Sequence, residues 1–369
     1  MKLNNILKNK KVLVTGHTGF KGSWLSLWLT DLGAKVYGIS IDVPSNPSHF
    51  NVSKVFDFVD DRRLDIRNAE EVSKTMQEIQ PDFVFHLAAQ ALVRPSYESP
   101  LETLHTNALG TASVLDALRF LTKPVVAVMI TSDKAYDNVE WVWGYKETDA
   151  LGGPDPYSAS KGAAELVIRS HVKSFFPNNG KVRIASARAG NVIGGGDWSQ
   201  DRIIPDCVKA WSKGKIVELR KPHATRPWQH VLEPLSGYLR LAIELKNQPS
   251  VHGEAFNFGP PAKQNQSVVE LVEAMALYWN KVKWKDVSSS ENGPYESGLL
   301  KLNCDKALAD LSWLPTLKFD ETVQLTVDWY KAFYSKENQS KEFEMLDFTE
   351  NQIKIYTDLA NKRKVKWAL

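Results

Sequence analysis

Cysteine is scarce in the sequence, and long apolar runs are missing from it. Only Cys207 and Cys304 occur, outside any metal-ligand spacing, which excludes a disulfide framework and favours a reducing environment. The longest apolar run, residues 125–130, is far too short to cross a bilayer. The lysine-rich residues 1–11 lack the apolar core of a signal peptide. We therefore expect a cytoplasmic protein with no membrane partner.

The sequence also lacks an excess of charge of either sign. Its 46 basic and 43 acidic residues leave a net charge of +3, which gives no reason to expect a nucleic-acid partner. Hydrophobic residues make up 43% of the chain and charged residues 24%, as in soluble globular proteins. A chain of 369 residues exceeds one ordinary core, so we expect a large domain and a smaller one.

Three glycines follow the first apolar segment. Residues 12–15 have the composition of a buried parallel strand, and residues 20–32 carry apolar side chains at helical spacing. Gly16, Gly19 and Gly22 lie between them in a G-x-x-G-x-x-G spacing. A strand, a glycine turn and a helix N-terminus together cradle a dinucleotide pyrophosphate, because the backbone can approach the phosphates and free N–H groups attract their charge.

The rest of the first half alternates strand and helix patterns. We predict strands over residues 35–41, 82–88, 125–131 and 182–187, and helices over residues 69–80, 107–121 and 158–176. Repeated β-α-β units imply an α/β, Rossmann-type fold with a doubly wound parallel sheet, in which ligands bind beyond the carboxyl ends of the strands. After Gly190, loops, proline and tryptophan become frequent, and helical patterns recur over residues 233–246, 267–279 and 320–334.

These shifts in pattern divide the chain into predicted domains. A dinucleotide-binding domain covers residues 1–192, with residues 227–258 returning to it. Residues 193–226 and 259–340 form a smaller substrate-binding domain, and residues 341–369 form a charged helical tail.

Tyr157 and Lys161 stand four residues apart, on one face of a predicted helix. A tyrosine ordinarily loses its proton near pH 10. A neighbouring ammonium and an oxidised nicotinamide would lower the pKa of Tyr157, so that it can take a proton from a sugar hydroxyl. The Y-x-x-x-K spacing also arises by chance about once in such a chain, and the glycine turn before it favours the catalytic interpretation.

A further pair of titratable residues, Asp133 and Lys134, leaves the end of an apolar strand just after Ser132. In isolation, such a pair is usually a solvated turn. Beside a nicotinamide, a carboxyl acid and an amine base could remove one proton and donate another, which elimination of water requires. For this, Lys134 would have to be neutral, which desolvation and nearby positive charge favour.

The second half supplies candidate ligands for an anion. Asn191 follows a strand, Arg202 precedes the apolar residues 203–205, and Arg226 begins the segment Arg-Pro-Trp-Gln-His over residues 226–230. A guanidinium binds a diphosphate with two hydrogen bonds, as a nucleotide-sugar site requires; each arginine could equally form a surface ion pair. The sequence contains no P-loop, nucleophile elbow or metal-ligand spacing, so we expect no metal ion.

Together, these motifs resemble the extended short-chain dehydrogenase/reductase superfamily. The resemblance rests on the glycine turn, on residues 86–89 (His-Leu-Ala-Ala), on the Tyr157/Lys161 spacing and on residues 188–194 (Arg-Ala-Gly-Asn-Val-Ile-Gly). Within the superfamily, residues 16–24, 131–134 and 225–234 resemble the CDP-glucose 4,6-dehydratases, and the likeness runs from about residue 10 to residue 334.

The resemblance implies bound NAD, a homodimer and dehydration of CDP-glucose to CDP-4-dehydro-6-deoxyglucose, a step toward the deoxysugars of surface polysaccharide such as O-antigen. Tyr157 would deprotonate the 4-hydroxyl during oxidation at C4, and Lys161 would hold the cofactor ribose. Lys134 would then remove the C5 proton while Asp133 protonates the departing 6-hydroxyl, before hydride returns to C6. The homodimer would form through the helix over residues 107–121 and the helix that begins near Tyr157.

The resemblance also assigns site residues. Ser132 joins Asp133, Lys134, Tyr157 and Lys161 as catalytic, and the substrate would contact Asn191, Arg202, Arg226 and Glu296. The cofactor would contact Gly16, His17, Gly19, Phe20, Lys21, Gly22, Asp42, Asp65, Ile66, Leu87, Ala88, Ala89, Tyr157 and Lys161. Within the glycine turn, His17 and Lys21 are interpreted as adding a donor and a positive charge near the phosphates.

Three positions depart from the wider superfamily. Ser40 stands where an acidic residue usually binds the ribose, and Asp42 follows two positions later. Lys134 replaces the glutamate of the related dTDP-glucose dehydratases, and Tyr295 stands where histidine is expected.

Two alternatives remain. Another nucleotide-sugar dehydratase or a 4-epimerase could use the same scaffold, although an epimerase has no need of Asp133 and Lys134. A catalytically silent dinucleotide-binding protein is the other alternative, against which the presence of both Tyr157 and Lys161 argues.

Overall fold

The apolar segments of the first half pair into one parallel sheet. The computed structural model of the chain describes residues 3–280, 282–288, 298–335 and 344–368. Its strands are β1 (Lys11–Thr15), β2 (Lys35–Ser40), β3 (Val59–Arg63), β4 (Phe83–His86), β5 (Val125–Ile130), β6 (Val182–Ala189), β7 (Val192–Ile193), β8 (Val217–Leu219), β9 (Thr225–Arg226), β10 (Gln229–His230), β11 (Ala255–Phe258), β12 (Gln266–Ser267) and β13 (Trp284–Asp286). The seven-stranded sheet has the order β11-β6-β5-β4-β1-β2-β3, and all its neighbouring strands are parallel. The predicted α/β fold is confirmed.

Helices cover both faces of this sheet. They are α1 (Leu3–Leu7), α2 (Phe20–Asp31), α3 (His49–Val52), α4 (Ala69–Ile79), α5 (Val93–Glu98), α6 (Pro100–Leu104), α7 (Gly110–Leu118), α8 (Pro156–Phe175), α9 (Ile203–Trp211), α10 (Leu232–Asn247), α11 (Val268–Ala276), α12 (Asp305–Leu311), α13 (Phe319–Tyr334) and α14 (Met345–Lys362). One hydrophobic cluster joins α4, α7 and α8 to one face, and a larger cluster joins α2 and α10 to the other. Alternate residues of β5 enter the two clusters, which explains why this strand is apolar throughout.

Some elements differ from the sequence prediction. The edge strand β3 contains Asp60, Asp61, Arg62 and Arg63, and the sequence pattern did not predict it. A strand at the edge of a sheet tolerates charged side chains, because one of its sides faces solvent. The helix predicted over residues 107–121 begins instead as a π-helical segment, His105–Leu109, that continues into α7.

Beyond β6, short strand pairs and helices build the other wall of the cleft described below. In this part β10 pairs with β7, β12 with β9, and β13 with β8. The chain then returns to the main sheet, because β11 pairs with β6. The predicted domain boundaries stay a prediction. Among the helices of the described ranges, none has the length and apolar character needed to cross a bilayer.

Candidate active site

A cleft of about 1130 Å³ lies at the carboxyl ends of the sheet strands. Most of the predicted site residues line it: Gly16, Gly19, Phe20, Lys21, Gly22, Asp42, Asp65, Ile66, Leu87, Ala88, Ala89, Ser132, Asp133, Lys134, Tyr157, Lys161, Asn191, Arg202 and Arg226. His17 does not line it, and Glu296 and Tyr295 lie outside the described residues. The fold thus brings together residues from widely separated segments of the chain.

The glycine turn leaves open space in front of the N-terminus of α2. Gly16 has φ +75°, and a Cβ there would lie 2.7 Å from the Ala88 nitrogen. A Cβ on Gly22 would lie 2.0 Å from the Gly16 carbonyl oxygen. Gly19 caps α2 without a side-chain hydrogen bond, so the first N–H groups of the helix remain available to an anion. This geometry fits a dinucleotide pyrophosphate.

The His17 side chain turns away from the cleft. It is fully buried, with Nδ1 3.0 Å from Ser40 Oγ and Nε2 2.9 Å from Asp61 Oδ1. The ring packs on Gly38, where a Cβ would come within 2.3 Å of it. Burial lowers the pKa of His17 despite the neighbouring Asp61 carboxylate. The prediction that this side chain adds a donor beside the phosphates is therefore wrong, because both ring nitrogens are already bonded.

Lys21 lies among charged groups inside the cleft. Burial, followed by the positive charges of Arg202 and Lys161, lowers its pKa to about 8, while Asp133 and Asp197 act in the opposite direction. Lys21, which the sequence predicts to lie beside the phosphates, therefore also interacts electrostatically with the candidate catalytic residues Asp133 and Lys161.

Tyr157 and Lys161 lie on the first turns of α8, which Asp155 caps by accepting a hydrogen bond from the Ser158 nitrogen at 2.9 Å. The Lys161 ammonium lies 6.0 Å from the centroid of the Tyr157 ring. Burial raises the pKa of Tyr157 to about 12, although its hydrogen bond with Ser132 opposes this. Burial also lowers the pKa of Lys161 to about 8. The pKa of Tyr157 is thus raised in the protein alone, whereas the sequence predicts a lowered pKa for the complex with the oxidised cofactor.

Asp133 occupies a buried position beside the phenol. Its Oδ1 accepts a hydrogen bond from Ser132 Oγ at 3.0 Å. Its Oδ2 lies so close to Gly190 that a Cβ on that glycine would be 1.7 Å away. Lys134 donates its backbone N–H to Ser132 Oγ at 3.2 Å. Within the described residues, the half-buried Lys134 ammonium has no hydrogen bond or ion pair.

Arginines from both halves of the chain line the cleft. Arg202 pairs with Asp197 at 2.9 Å and interacts electrostatically with Tyr157. Arg94 and Arg220 both approach Asp201, at 3.2 and 3.6 Å. The sequence interpretation singled out Arg202 but missed the other two. The position of Arg94 shortly after the end of β4 was a usable signal, since ligands bind at strand ends.

Arg226 and Asn191 are held by backbone contacts. Arg226 Nη1 donates to the carbonyl oxygens of Thr225 at 2.8 Å and Gly298 at 3.2 Å. Asn191 adopts φ +50°, and its carbonyl accepts from the Gln229 nitrogen at 3.2 Å. Both residues line the cleft.

The two acids predicted for the adenosine end differ in their surroundings. Thr18 Oγ1 donates to the Asp42 carbonyl at 2.6 Å, and the exposed Asp42 carboxylate has no partner within the described residues. Asp65 forms an ion pair with Arg67 at 2.6 Å, and the hydrogen bond from Arg67 lowers the pKa of Asp65. Asp42 is therefore the freer of the two carboxylates for a ribose hydroxyl.

The doubly wound sheet, the open glycine turn and the tyrosine–lysine pair at one cleft define an extended short-chain dehydrogenase/reductase. A family model described as GDP-mannose 4,6 dehydratase matches residues 13–326. The chain belongs to this nucleotide-sugar dehydratase family.

Relatives and solved structures agree with this assignment. The chain is 46% identical to the CDP-glucose 4,6-dehydratase of Salmonella typhimurium, over 90% of this chain and 94% of the relative. It is 25% identical to the CDP-paratose 2-epimerase of Salmonella typhi, over 86% and 98% of the two chains. A dTDP-glucose 4,6-dehydratase from Bacillus anthracis, solved in complex with NAD, shares the fold, with a TM-score of 0.72 at 21% identity over 89% of this chain and 98% of that one.

Proposed function

We propose that the protein catalyses the NAD-dependent dehydration of CDP-glucose to CDP-4-dehydro-6-deoxyglucose. The observation that carries the proposal is the convergence of Tyr157, Ser132 and Asp133 in one cleft with the open glycine turn. The 46% identity to a CDP-glucose 4,6-dehydratase supports this substrate.

The glycine turn and the first N–H groups of α2 would hold the pyrophosphate of NAD, with Asp42 at its ribose. When bound, NAD supplies reversible hydride transfer. Tyr157 would take the proton of the sugar 4-hydroxyl, and its hydrogen bond with Ser132 would orient the phenol oxygen. The raised pKa of Tyr157 shows that the protein alone favours the neutral phenol; the positive charge of the oxidised cofactor would favour the phenolate.

Elimination of water would use the two residues at the end of β5. The 4-ketone makes the C5 hydrogen acidic; Lys134, as the neutral amine, would remove that proton as the C6–O bond breaks, and Asp133, as the carboxylic acid, would protonate the leaving hydroxyl to give water. Return of hydride to C6 and of the Lys134 proton to C5 would then complete the 6-deoxy sugar. The surroundings of the Lys134 side-chain nitrogen support this role, since within the described residues no hydrogen bond or ion pair holds it.

Three further assignments belong to the same proposal. Asn191, Arg202 and Arg226 would bind the substrate diphosphate, as their place in the cleft supports. The chain would act as a cytoplasmic homodimer, with residues 1–192 and 227–258 binding the cofactor and residues 193–226 and 259–340 binding the sugar nucleotide. Its product would enter the synthesis of surface polysaccharide deoxysugars.

The proposal is tested by incubating the purified protein with NAD and, separately, with CDP-, dTDP-, UDP- and GDP-hexoses, followed by mass spectrometry. We expect loss of one water molecule from CDP-glucose alone. A product of unchanged mass with inverted C4 would indicate the 4-epimerase alternative, and loss of water from another nucleotide sugar would contradict the assigned base.

A further inference from the structure

Beyond Arg202, the cleft ends in a slot between α9 and β8. The slot is lined by apolar side chains, among them Ile203, Val217, Leu219 and Trp228, of which the last three are buried. Two acids of these elements, Asp206 of α9 and Glu218 of β8, also line the cleft, and Glu218 is paired with Lys285 at 2.8 Å. Apolar side chains with an acid beside them suit a nucleobase, whose faces stack on apolar surface and whose edge forms hydrogen bonds.

Asp206 is placed there by the geometry of α9. Its backbone nitrogen donates to the Arg202 carbonyl at 3.0 Å, so the two side chains lie one helical turn apart on the same face of the helix. Both line the cleft, as does Lys209 on the next turn. Arg202 and Asp206 therefore lie one after the other along this face of α9, with Arg202 nearer to Tyr157.

The Asp206 carboxylate has no partner of its own. Among the described residues it forms no hydrogen bond and no ion pair. The nearest lysine along α9, Lys209, donates instead to the Trp198 carbonyl at 2.8 Å. Burial raises the pKa of Asp206 to about 6; the positive charges of Lys209 and Arg94 oppose this rise, and the carboxylate of Asp201 adds to it. A carboxylate in such surroundings gains from a ligand that brings an N–H donor.

The order of groups along the cleft follows from the proposed function, on which this inference rests. If the sugar lies at Tyr157 and the diphosphate at Arg202, the ribose and the base extend from Arg202 along the face of α9 that carries Asp206. Cytosine presents a 4-amino donor at the edge where uracil and thymine present an oxygen acceptor. A carboxylate accepts from the amino group and repels the oxygen.

We propose that Asp206 selects cytosine, by accepting a hydrogen bond from the 4-amino group of the bound nucleotide. The carboxylate thereby excludes uracil and thymine nucleotides, which would place two acceptors against each other. Asp206 is a specificity residue and takes no part in proton transfer at the sugar.

The test measures binding of CDP and UDP to the full-length protein with NAD present, by titration calorimetry, for the wild type and for Asp206→Asn. The carboxamide has nearly the same shape but presents an N–H₂ group that can face O4 of uracil. We expect CDP to bind about 10- to 100-fold more weakly, as for a lost hydrogen bond to a charged group, and UDP to bind equally or more tightly. Asp206→Ser should weaken CDP binding without improving UDP binding.

Glu218→Gln is the matched control, because Glu218 is an acid on β8 whose carboxylate is paired with Lys285 at 2.8 Å. We expect this change to leave the preference for CDP over UDP intact. If both Asp206 variants still prefer CDP to UDP, Asp206 does not select the base. The proposed function would stand in that case. A wild-type protein that neither prefers CDP nor dehydrates CDP-glucose contradicts the proposed function itself.

Discussion

The position of the Asp133 carboxylate depends on a residue 57 positions later in the chain, Gly190. A Cβ on Gly190 would lie 1.7 Å from Asp133 Oδ2. At this separation the two atoms would overlap, so the Asp133 side chain or the backbone at Gly190 would have to move. The absence of a side chain at Gly190 therefore leaves room for the carboxylate beside Ser132 and Tyr157. Gly190, which follows β6, therefore influences where a candidate catalytic side chain lies.

Gly190→Ala should displace the Asp133 carboxylate. We expect dehydratase activity to fall about 100-fold or more, because displacements of about 1 Å have such effects on catalysis. Overpacking should also lower the free energy of unfolding by about 1–3 kcal/mol. Steady-state kinetics and thermal unfolding measure the two effects.

Gly259→Ala is the control, since a Cβ there would meet only ordinary contacts, the nearest 3.5 Å away at Cys304 Sγ. It should change neither activity nor melting temperature appreciably. Equal activity in Gly190→Ala and the wild type would show that the Asp133 position is not required for turnover.

Lys134→Ala tests the base assigned to the elimination step. We expect oxidation at C4 to continue but loss of water to slow by about 100-fold or more, because no group would then remove the C5 proton. Reduced nicotinamide should accumulate during a single turnover with CDP-glucose, and its absorbance measures this. Unimpaired formation of the deoxysugar by Lys134→Ala would remove Lys134 from the mechanism and direct attention to Lys21, the other amine close to Asp133.

At the level of helices, α14 closes the larger hydrophobic cluster over α2. Its Tyr356 packs edge-on against Trp28 of α2, with ring centroids 5.8 Å apart. The Tyr356 hydroxyl donates to Glu233 on α10 at 2.7 Å. Glu233 also accepts from the backbone nitrogen of Thr316 at 2.9 Å. The helix whose N-terminus would meet the cofactor phosphates is thus supported from behind by the C-terminal helix.

Glu233 should give this packing a measurable pH dependence. Burial raises its pKa from the usual 4.5 to about 7, so the folded protein keeps the proton where the unfolded chain has lost it. Stability therefore falls as pH rises from about 4.5 to about 7, by about 3 kcal/mol if this group acts alone. Glu233→Gln, which cannot titrate, should lack this contribution.

The measurement is the free energy of unfolding by urea between pH 4.5 and 7.5 for both proteins. Taking the difference between them cancels the titration of the buried histidines, which is the same in each. Parallel profiles for the wild type and Glu233→Gln would show that Glu233 is already ionised across this range.

For the molecule as a whole, the outer faces of α6 to α8 carry exposed leucines. Leu101, Leu109 and Leu166 are 81%, 57% and 55% exposed. Such side chains on one helical layer are typical of a protein interface. Of these, Leu109 and Leu166 lie on the two helical segments through which the proposed homodimer would form.

Leu109→Glu combined with Leu166→Glu should convert a dimer into a monomer, because both carboxylates would be buried without partners at the interface. Sedimentation velocity measures the change. The fold should persist, since both side chains are exposed in the single chain. Leu277→Glu, at a position 78% exposed after α11, should leave the dimer intact. A wild-type protein that sediments as a monomer would contradict the proposed assembly.

The sequence alone was sufficient to predict the elements that depend on local patterns. Continuous apolar segments such as β5 and the glycine turn before α2 have signatures within about a dozen residues. The α/β fold could therefore be predicted, and most of the residues proposed for the site line one cleft. The charged strand β3 could not, because its pairing with β2 depends on its place at the sheet edge.

Contacts between distant residues could not be read from the chain. The side chain of His17 looks like a phosphate donor in the sequence, but Asp61 and Ser40 hold it away from the cleft. The pairs that line the cleft, Arg94 with Asp201 and Gly190 with Asp133, likewise join residues far apart in sequence. Residue types and spacing define which chemistry is available; folding decides which side chains meet, since burial and hydrogen bonding depend on neighbours that no local pattern contains.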